Sequence, residues 1–375
     1  MNRLDNPALC PAPWRSLFIE ATGRVDNCCV AKNQLGHIQQ DSVQEIIFGE
    51  QNQAVQQSML RGQLPEGCDA CKNKKTSVME HMWRMFPDTS PENFQSGDFN
   101  LQYLDARWSN TCNLACVYCT PAYSSTWAQE LNMPVRIDKQ YKNELLNHVL
   151  DNVKNLKNVY LAGGEPLLMR ENEILIEAIQ QQNPDCHVLV NTNLTQVKSS
   201  SIFQNLLQLK NCQWLISVDD SHERFEYLRY PALWSEFVEN LEFLKSKIAR
   251  NRLAYKLSFN MVVTSLNAVT IWDTVDWLLD QGLGSLTMQL INAGLTQVPL
   301  EVRSMPLDYQ QKVLHRMDQE KYRKLFGWQD VYDHLKRSIY YDAPNCDVKS
   351  YLQRTDVRRG LDSTITFPMV YQYLQ

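Results

Sequence analysis

Short apolar runs alternate with amphipathic stretches through the middle of the chain. The runs are rich in Val, Ile, Leu and aromatic residues, the composition of buried strands. They predict strands at Leu101–Ala106, Asn158–Ala162, Val188–Asn191, Trp214–Val218, Leu257–Val263 and Leu286–Ile291. Between these strands, apolar residues recur at helical spacing. This second pattern predicts helices near 139–153, 171–182, 200–209, 232–248 and 270–280.

Strands that alternate with helices are typical of βα units and of a parallel sheet, so the expected fold class is α/β. The six predicted units are too few for a closed barrel of eight strands. An open or partial (β/α)6 barrel of the TIM type fits the pattern better. In such folds the functional side chains lie at the carboxyl ends of the strands.

The flanking regions show other patterns. Residues 1–92 are expected to be irregular, apart from one helix from about Ser42 to Leu60. Two prolines among capping residues predict a linker from Phe86 to Glu92. The C-terminal region is expected to be mostly helical, with helices near 307–323 and 328–340. The predicted domains are therefore an N-terminal domain, a barrel and a helical extension, at 1–92, 99–292 and 293–375.

Composition excludes several classes of protein. The chain has 375 residues, of which 44% are hydrophobic and 10% aromatic, and this composition argues against intrinsic disorder. The formal net charge of −5 argues against a large nucleic-acid surface. We find no apolar run of membrane-spanning length and no N-terminal segment of the secretory type. We therefore expect a cytoplasmic protein without a membrane or nucleic-acid partner.

The unusual part of the composition is its eleven cysteines. An odd number excludes complete disulfide pairing, and clustered cysteines in a reducing compartment are typically metal ligands or redox groups. The first cluster comprises Cys10, Cys28, Cys29, Cys68 and Cys71, and the second comprises Cys112, Cys116 and Cys119. The isolated cysteines, expected to be ordinary thiols rather than ligands, are Cys186, Cys212 and Cys346. A thiol on the substrate side of the site is the alternative for Cys346.

The second cluster forms the motif Cys-x3-Cys-x2-Cys directly after the first predicted strand of the barrel. Three thiolates at this spacing are able to bind three irons of one iron–sulfur cube, which leaves the fourth iron without a protein ligand. A metal with an open coordination position binds substrate directly. A structural zinc site is the alternative, although such sites usually have four protein ligands.

The second predicted strand ends in the segment Gly163-Gly164-Glu165-Pro166. Two glycines at a strand end allow a ligand to approach the backbone closely. The carboxylate of Glu165 is able to accept hydrogen bonds from an ammonium group. An ordinary strand-end turn is the alternative. Because the segment lies one βα unit after the cysteine motif, we expect both at the same barrel mouth.

Together these motifs resemble the radical S-adenosylmethionine (SAM) superfamily over roughly residues 99–292, with Tyr118 as the aromatic residue of its cysteine signature. The resemblance implies a [4Fe–4S] cluster whose unique iron is chelated by SAM. It also implies reductive cleavage of SAM to a 5′-deoxyadenosyl radical, which abstracts a hydrogen atom from the substrate. The implied cluster ligands are Cys112, Cys116 and Cys119, and the implied SAM-binding segment is Gly163, Gly164, Glu165 and Pro166.

The same resemblance implies further contacts with SAM. Ser217 and Asp219 end the fourth strand like the ribose contact of the family, although an Asp there is also a common helix cap. Asn193 follows the third strand at a frequent site position, with a turn residue as the alternative. Arg229 is placed like an arginine near the SAM carboxylate in relatives, with a solvated surface arginine as the alternative.

The first cysteine cluster resembles the SPASM/twitch auxiliary-cluster domain of radical SAM enzymes. That domain usually follows the barrel, whereas here it precedes the barrel. The resemblance implies one auxiliary cluster of the [4Fe–4S] type, closer to the twitch form, with Cys10, Cys28, Cys68 and Cys71 as ligands. Cys29 is an alternative to Cys28, and spacing alone leaves zinc open as the metal. Three lysines after the last ligand are expected to tune the cluster, meet an anionic substrate or form a solvated turn: Lys72, Lys74 and Lys75.

The resulting hypothesis is a radical SAM enzyme of the oxidoreductase or transferase type that acts on a peptide or protein side chain. The family implies an electron donor such as a flavodoxin or ferredoxin. A small molecule, derived from a sugar or a nucleotide, is the second substrate class. A non-catalytic zinc-binding interaction protein is the alternative outside the enzymes. It explains the first cysteine cluster, but not the second cluster on a strand-end loop.

Overall fold

The structure, a computed structural model, describes residues 6–71, 78–87, 90–133, 139–198, 200–290, 298–325, 327–338 and 347–374. The strands within these residues are β1 (Ser16–Ile19), β2 (Arg24–Asp26), β3 (Gly36–His37), β4 (Tyr103–Ala106), β5 (Asn158–Leu161), β6 (His187–Thr192), β7 (Cys212–Ser217), β8 (Leu257–Val263) and β9 (Leu286–Leu290).

The helices are, in chain order, α1 (Ala12–Arg15), α2 (Val43–Phe48), α3 (Glu50–Leu60), α4 (Val78–Met85), α5 (Ser125–Glu130), α6 (Lys139–Asp151), α7 (Arg170–Gln182), α8 (Ser201–Gln208), α9 (His222–Leu228), α10 (Trp234–Ser246), α11 (Leu253–Lys256), α12 (Ile271–Asp280), α13 (Leu307–Met317), α14 (Trp328–Ser338), α15 (Val348–Arg359), α16 (Ser363–Thr366) and α17 (Pro368–Tyr371). The chain divides into two compact units. The first unit comprises residues 1–111, 134–190 and 200–212, and the second comprises 112–133, 191–199 and 213–375.

In the first unit the strands follow the order β3-β2-β1-β4-β5-β6. The neighbours from β1 to β6 run parallel, whereas β2 and β3 are added antiparallel at the edge. Side chains alternate between the two faces of a strand, and β6 shows this as a strict alternation of buried and half-exposed residues. Amphipathic helices connect the parallel strands, as α/β folds require.

The N-terminal part of the first unit has its own core, in which Trp14 stacks on Phe94 with ring centroids 4.5 Å apart. A capping box between Ser42 and Glu45 starts α2. The helix ends at Gly49, where a Cβ atom would lie 2.0 Å from the carbonyl oxygen of Glu45. A single helix over 42–60 was expected, and the structure has two because the chain bends at this glycine.

The second unit contains the parallel strands β7, β8 and β9 and most of the C-terminal helices. The strand β8 alternates strictly between buried and half-exposed residues. The helix α12 buries Ile271, Trp272 and Val275. Its Trp272 packs against Tyr322, with ring centroids 4.4 Å apart.

All six strands predicted for the barrel are present within a few residues of their expected bounds. Three further strands, β1 to β3, lie in the region that was expected to be irregular, and β1 pairs in parallel with β4. In the region predicted as a linker, Phe86 is fully buried in the N-terminal core. Lys72, Lys74, Lys75 and Cys346 lie outside the described residues. No helix among the described residues is both long and apolar enough to cross a bilayer.

Candidate active site

The cysteine motif forms a tightly hydrogen-bonded loop at the start of the second unit. Ser124, the cap of α5, donates its hydroxyl to the carbonyl of Leu114 at 2.6 Å. The indole of Trp127 in α5 donates to the carbonyl of Cys116 at 2.7 Å. The amide of Val117 donates to the carbonyl of Leu228 at 2.8 Å. These bonds fix the backbone of the loop independently of any ligand.

The three thiols of the loop differ in exposure. Cys116 is buried, whereas Cys112 and Cys119 are half-buried. Burial raises the pKa of Cys116, and the charge of Arg229 partly opposes this shift. Burial and the neighbouring Cys116 raise the pKa of Cys119 to about 12. Thiolates are the form that binds metals, so the binding of a metal by these thiols would release protons. The charge of Arg229 favours the thiolate form of Cys116 and Cys119.

A buried polar triad, Tyr118–Asp219–Arg229, lies next to these thiols. Arg229 donates through Nη1 to the Tyr118 hydroxyl and to Asp219 Oδ2, each at 2.7 Å. The Tyr118 hydroxyl also forms a hydrogen bond with Asp219 Oδ2. The side chains of Arg229 and Asp219 are 6% and 0% exposed. Burial raises the pKa of Tyr118 well above its usual value, so the tyrosine stays protonated.

The triad bears on three predicted SAM contacts. Asp219 accepts the amide of Val262 at Oδ1 in addition to the bonds at Oδ2, so both of its oxygens have partners within the protein. In Arg229, Nε is buried and has no partner among the described residues. Arg229 is therefore not a solvated surface arginine. It carries an unused donor beside the cysteine loop.

Asn193 is also joined to the cysteine loop. It donates to the side-chain oxygen of Asn113, inside the motif, at 3.1 Å. Asn113 in turn donates to the hydroxyl of Thr195 at 2.8 Å. Ser217 lies farther along the strand ends and donates to Asn191 at 3.1 Å. The predicted site residues of the second unit thus belong to separate hydrogen-bonded groups, two of which include residues of the cysteine motif. Asn113 is an additional member that was not predicted.

The helix α15 holds the other side of the loop and was not predicted. The hydroxyl of Tyr351 donates to the carbonyl of Val117 at 2.6 Å. Arg359 forms a bidentate ion pair with Glu130 at 2.8 and 2.9 Å, and its guanidinium lies 4.5 Å from the ring of Trp127. These residues lie more than 220 positions from the loop in sequence, and no local motif marks them.

In the first unit, the segment Gly163–Pro166 packs backbone to backbone on the end of β4. Gly163 has φ of +108°, and a Cβ atom on Gly164 would lie 2.1 Å from the carbonyl oxygen of Thr111. The amide of Glu165 donates to that carbonyl at 2.7 Å. Glu165 is fully buried and accepts the amide of Leu167 at 3.1 Å. The glycines are therefore required by close packing within the protein itself.

The first cysteine cluster converges in the first unit. Four of its thiols line one cavity together with apolar residues such as Met59 and Met79: Cys10, Cys28, Cys68 and Cys71. The pKa shifts agree with this placement. Burial is the main cause that raises the pKa of Cys28 and of Cys68, and the neighbouring thiols Cys10 and Cys71 raise these two pKa values further. Cys29 is exposed and is not among the residues that line the cavity.

The chemistry of both donor sets fits iron–sulfur clusters. Each set consists of thiols, the usual ligands of such clusters, and the cavity of the N-terminal set is lined largely by apolar residues. Among the described residues, no three Cys, His, Asp or Glu side chains are placed to hold a single metal ion. Thiolates around a four-iron cube bind different irons and do not need to converge on one point.

Comparison with known families agrees with this chemistry. Residues 107–278 match the radical SAM superfamily, and residues 10–72 match an iron–sulfur cluster-binding domain of the SPASM type. These two matches identify a radical SAM domain with an iron–sulfur domain of the SPASM type before it. The predicted α/β fold with a partial barrel, the enzyme class and the cofactors are confirmed. These cofactors are a [4Fe–4S] cluster, SAM and an auxiliary iron–sulfur cluster.

Relatives of this radical SAM chain are distant. It is 26% identical to the GTP 3′,8-cyclase of Nautilia profundicola over 93 residues, which are 25% of this chain and 28% of that protein. Native anSMEcpe with bound AdoMet is similar at 19% identity and a TM-score of 0.42, over 58% of this chain and 59% of that chain. SuiB of Streptococcus suis, bound to the precursor peptide SuiA, is similar at 14% identity and a TM-score of 0.45, over 78% and 68%.

Proposed function

We propose that this radical SAM protein reductively cleaves SAM and abstracts a hydrogen atom from a peptide or protein side chain, assisted by an auxiliary cluster. The observation that carries the proposal is the presence of two separate cysteine sets. One forms the loop of the Cys-x3-Cys-x2-Cys motif, and the other lines one cavity of the N-terminal domain. A zinc-binding interaction module has no use for the cysteines of the Cys-x3-Cys-x2-Cys motif.

The proposal assigns cofactor ligands to particular residues. Cys112, Cys116 and Cys119 hold the cluster that binds SAM. Cys28 is preferred over Cys29 as an auxiliary ligand, because only Cys28 lines the cavity with the other three thiols. When bound, SAM and the iron–sulfur cluster that binds it supply a carbon radical reactive enough to abstract hydrogen from an unactivated position. The full auxiliary set is Cys10, Cys28, Cys68 and Cys71.

The protein itself contributes charge and order. Arg229 carries a positive charge into a buried position beside the thiolates, which opposes the accumulation of negative charge on the loop. Asp219 fixes the orientation of Arg229 and of Tyr118. The free Nε of Arg229 is a donor for an anionic group of SAM. Glu165, Asn193 and Ser217 are proposed as further SAM-binding residues.

The substrate class distinguishes two forms of the proposal. A peptide is favoured by the SPASM-type domain over residues 10–72, which the family resemblance associates with the modification of peptides. A nucleotide-derived small molecule is the second candidate, on the observation that a stretch of this chain is similar to a GTP 3′,8-cyclase. The electron donor in both forms is a flavodoxin or ferredoxin, and the proposed compartment is the cytoplasm.

Anaerobic reconstitution tests the reaction. The protein is loaded with iron and sulfide and then incubated with SAM and a low-potential reductant. We expect 5′-deoxyadenosine and methionine as products, detected by chromatography. A protein with a filled cluster that forms no 5′-deoxyadenosine would disprove the proposal. The matched control is the Cys186→Ala variant, because Cys186 is a buried thiol outside both sets.

The substrate class is tested by the stimulation of SAM cleavage. GTP and short peptides encoded beside the gene are added separately to the reconstituted protein. We expect a peptide to be modified, as a mass change of that peptide, with deuterium transferred from a labelled side chain into 5′-deoxyadenosine. Deuterium transfer from labelled GTP instead would assign the protein to the small-molecule class.

A further inference from the structure

The sheet of the first unit has a polar row on one face. Leu104 and Leu161 point to the opposite face and are fully buried. Asp105 and Tyr160 are register partners on β4 and β5, so their side chains lie side by side. Arg107 continues this row just beyond the end of β4. None of these residues has a part in the binding of either cluster as proposed above.

Arg107 is held rigidly on one edge of its guanidinium. Its Nε and Nη2 donate to the two carboxylate oxygens of Asp105 at 3.0 and 3.1 Å. The guanidinium also lies 4.8 Å from the ring of Phe18. Asp105 is almost completely buried, and burial raises its pKa while Arg107 lowers it. The ion pair therefore fixes the plane of the guanidinium before any ligand arrives.

The other edge of the guanidinium is open. An arginine has five N–H donors, and Asp105 uses two of them. No described residue accepts a hydrogen bond from Nη1 of Arg107, and the side chain is 26% exposed. A bidentate fork of Nη1 and Nη2 is the geometry that matches a planar carboxylate.

The surroundings place this fork near both cofactor regions of the first unit. A Cβ atom on Gly163 would lie 3.2 Å from Cα and Cβ of Arg107, so the predicted SAM-binding segment is in direct contact with it. Cys29 is electrostatically coupled to Asp105 and Arg107, and its neighbour Cys28 lines the auxiliary cavity. A substrate that contacts the polar row is therefore close to both regions.

We propose that Arg107, oriented by Asp105, is a substrate-binding residue that takes a carboxylate group through its free fork. This inference rests on the proposed function, because it takes the bound carboxylate to be part of the substrate. Local charge selects a carboxylate over a phosphate. The pair Asp105–Arg107 is neutral, and Arg24 nearby is shared between Glu20 and Asp26. The charges of these five side chains sum to −1, so a carboxylate meets less repulsion here than a phosphate dianion does.

Arginine labelling of the reconstituted protein tests this site. Phenylglyoxal adds to two nitrogens of a free guanidinium edge, and the modified residue is identified by mass spectrometry of the digest. The probes are acetate, its neutral analogue acetamide, and inorganic phosphate. Arg24 is the internal control, because its side chain is 25% exposed but bonded to two carboxylates.

We expect Arg107 to be labelled, and acetate at ten times its Kd to slow this labelling about tenfold by simple competition. Acetamide should have no effect, and acetate should not change the labelling of Arg24. The proposal is overturned if Arg107 resists labelling, if acetamide protects it as well as acetate, or if phosphate protects it more strongly than acetate.

The Asp105→Asn variant tests the orienting role. The amide accepts only through one oxygen, so the guanidinium is no longer clamped, and protection by acetate should weaken several-fold. Unchanged protection would remove Asp105 from the proposal. The labelling does not depend on SAM cleavage. A protein that shows the acetate effect but forms no 5′-deoxyadenosine would therefore contradict the proposed function and leave the carboxylate site in place.

Discussion

Arg229 and Asp219 form a charge pair that has almost no access to water and that also binds the hydroxyl of Tyr118. Such a pair adds little stability over a well-packed apolar pair, but the loss of one partner leaves the other charged and buried. The stability of the unit that holds the cysteine loop therefore depends on Arg229 and Asp219 together, and a change in one of them affects the other.

Replacement of Asp219 by Asn should lower the free energy of unfolding by about 3–5 kcal/mol, because Arg229 would remain buried without a counter-charge. Urea denaturation of the apo-protein measures the change. The Lys198→Gln variant is the control, since the Lys198–Glu239 pair is exposed and its loss should change stability little. Equal effects of the two variants would contradict the structural role of the buried pair.

The thiol of Cys119 allows a test of burial in the cysteine loop. Its pKa is raised to about 12 by burial and by Cys116. The thiolate is the reactive form, so alkylation of Cys119 by iodoacetamide in the apo-protein should rise about tenfold for each pH unit from 8 to 11. The reference thiol N-acetylcysteine should level off at lower pH. A plateau for Cys119 below pH 10 would show that the thiol is more solvated than the structure indicates.

At the scale of elements, the cysteine loop is positioned by two helices that follow it at very different distances in sequence. The helix α5 is local and binds the carbonyls of Leu114 and Cys116 through Ser124 and Trp127. The helix α15 comes from the C-terminal region and binds the carbonyl of Val117. The loop is thus held from two directions, and its geometry depends on a helix that carries no recognisable motif.

Removal of one hydroxyl tests the contribution of α15. The Tyr351→Phe variant leaves the carbonyl of Val117 without its partner, which should lower the free energy of unfolding by about 1–3 kcal/mol. The looser loop should also broaden the electron paramagnetic resonance signal of the reduced cluster with SAM. The Tyr255→Phe variant is the control, because Tyr255 is 62% exposed. A signal identical in Tyr351→Phe and wild type would refute the positioning role.

The strand-end turn at Gly164 is tested by one added methyl group. In Gly164→Ala, the Cβ atom would lie 2.1 Å from the carbonyl oxygen of Thr111, so the backbone has to shift. We expect a loss of about 1–3 kcal/mol in stability and weaker SAM binding, measured by denaturation and by equilibrium dialysis. In the control Gly284→Ala the nearest atom is the flexible end of Leu279 at 3.5 Å. The interpretation fails if both variants behave like wild type.

Sequence patterns predicted the elements whose residues carry a periodic signal. The strand β8 was predicted over its observed length, because apolar residues alternate with Ser258 and Asn260 along it. The strand β1 was missed because it has four residues, all buried, and follows a proline-rich segment without an alternating pattern. Tyr351 and Arg107 were missed for another reason. Their contacts depend on tertiary placement, and neither residue belongs to a motif.

At the scale of the whole molecule, the two cysteine sets belong to different compact units. Residues 112–119 lie in the second unit, whereas Cys10, Cys28, Cys68 and Cys71 lie in the first. Each set therefore has its own surrounding core. Loss of one cluster is expected to leave the other site able to form.

Iron analysis of two sets of variants tests this independence. The triple variant Cys112→Ala, Cys116→Ala, Cys119→Ala should retain about half of the wild-type iron if, as proposed, each site holds a four-iron cluster. It should form no 5′-deoxyadenosine. The double variant Cys68→Ala, Cys71→Ala should also retain half of the iron, but should still cleave SAM without modifying substrate. Loss of all iron in either variant would contradict independent sites.

The pairing of β1 with β4 has a consequence for biosynthesis. Ser16 is paired with Tyr103, 87 residues later in the chain. The proposed auxiliary cysteines lie on both sides of β1 in the sequence, so their placement relative to β4 depends on this pairing. At a synthesis rate of roughly 5–20 residues per second, β1 waits about 4–17 seconds for its partner. During that interval the N-terminal thiols are synthesised but their surroundings are incomplete. We therefore expect the auxiliary cluster to be inserted after Tyr103 has been synthesised, when β1 has its partner strand.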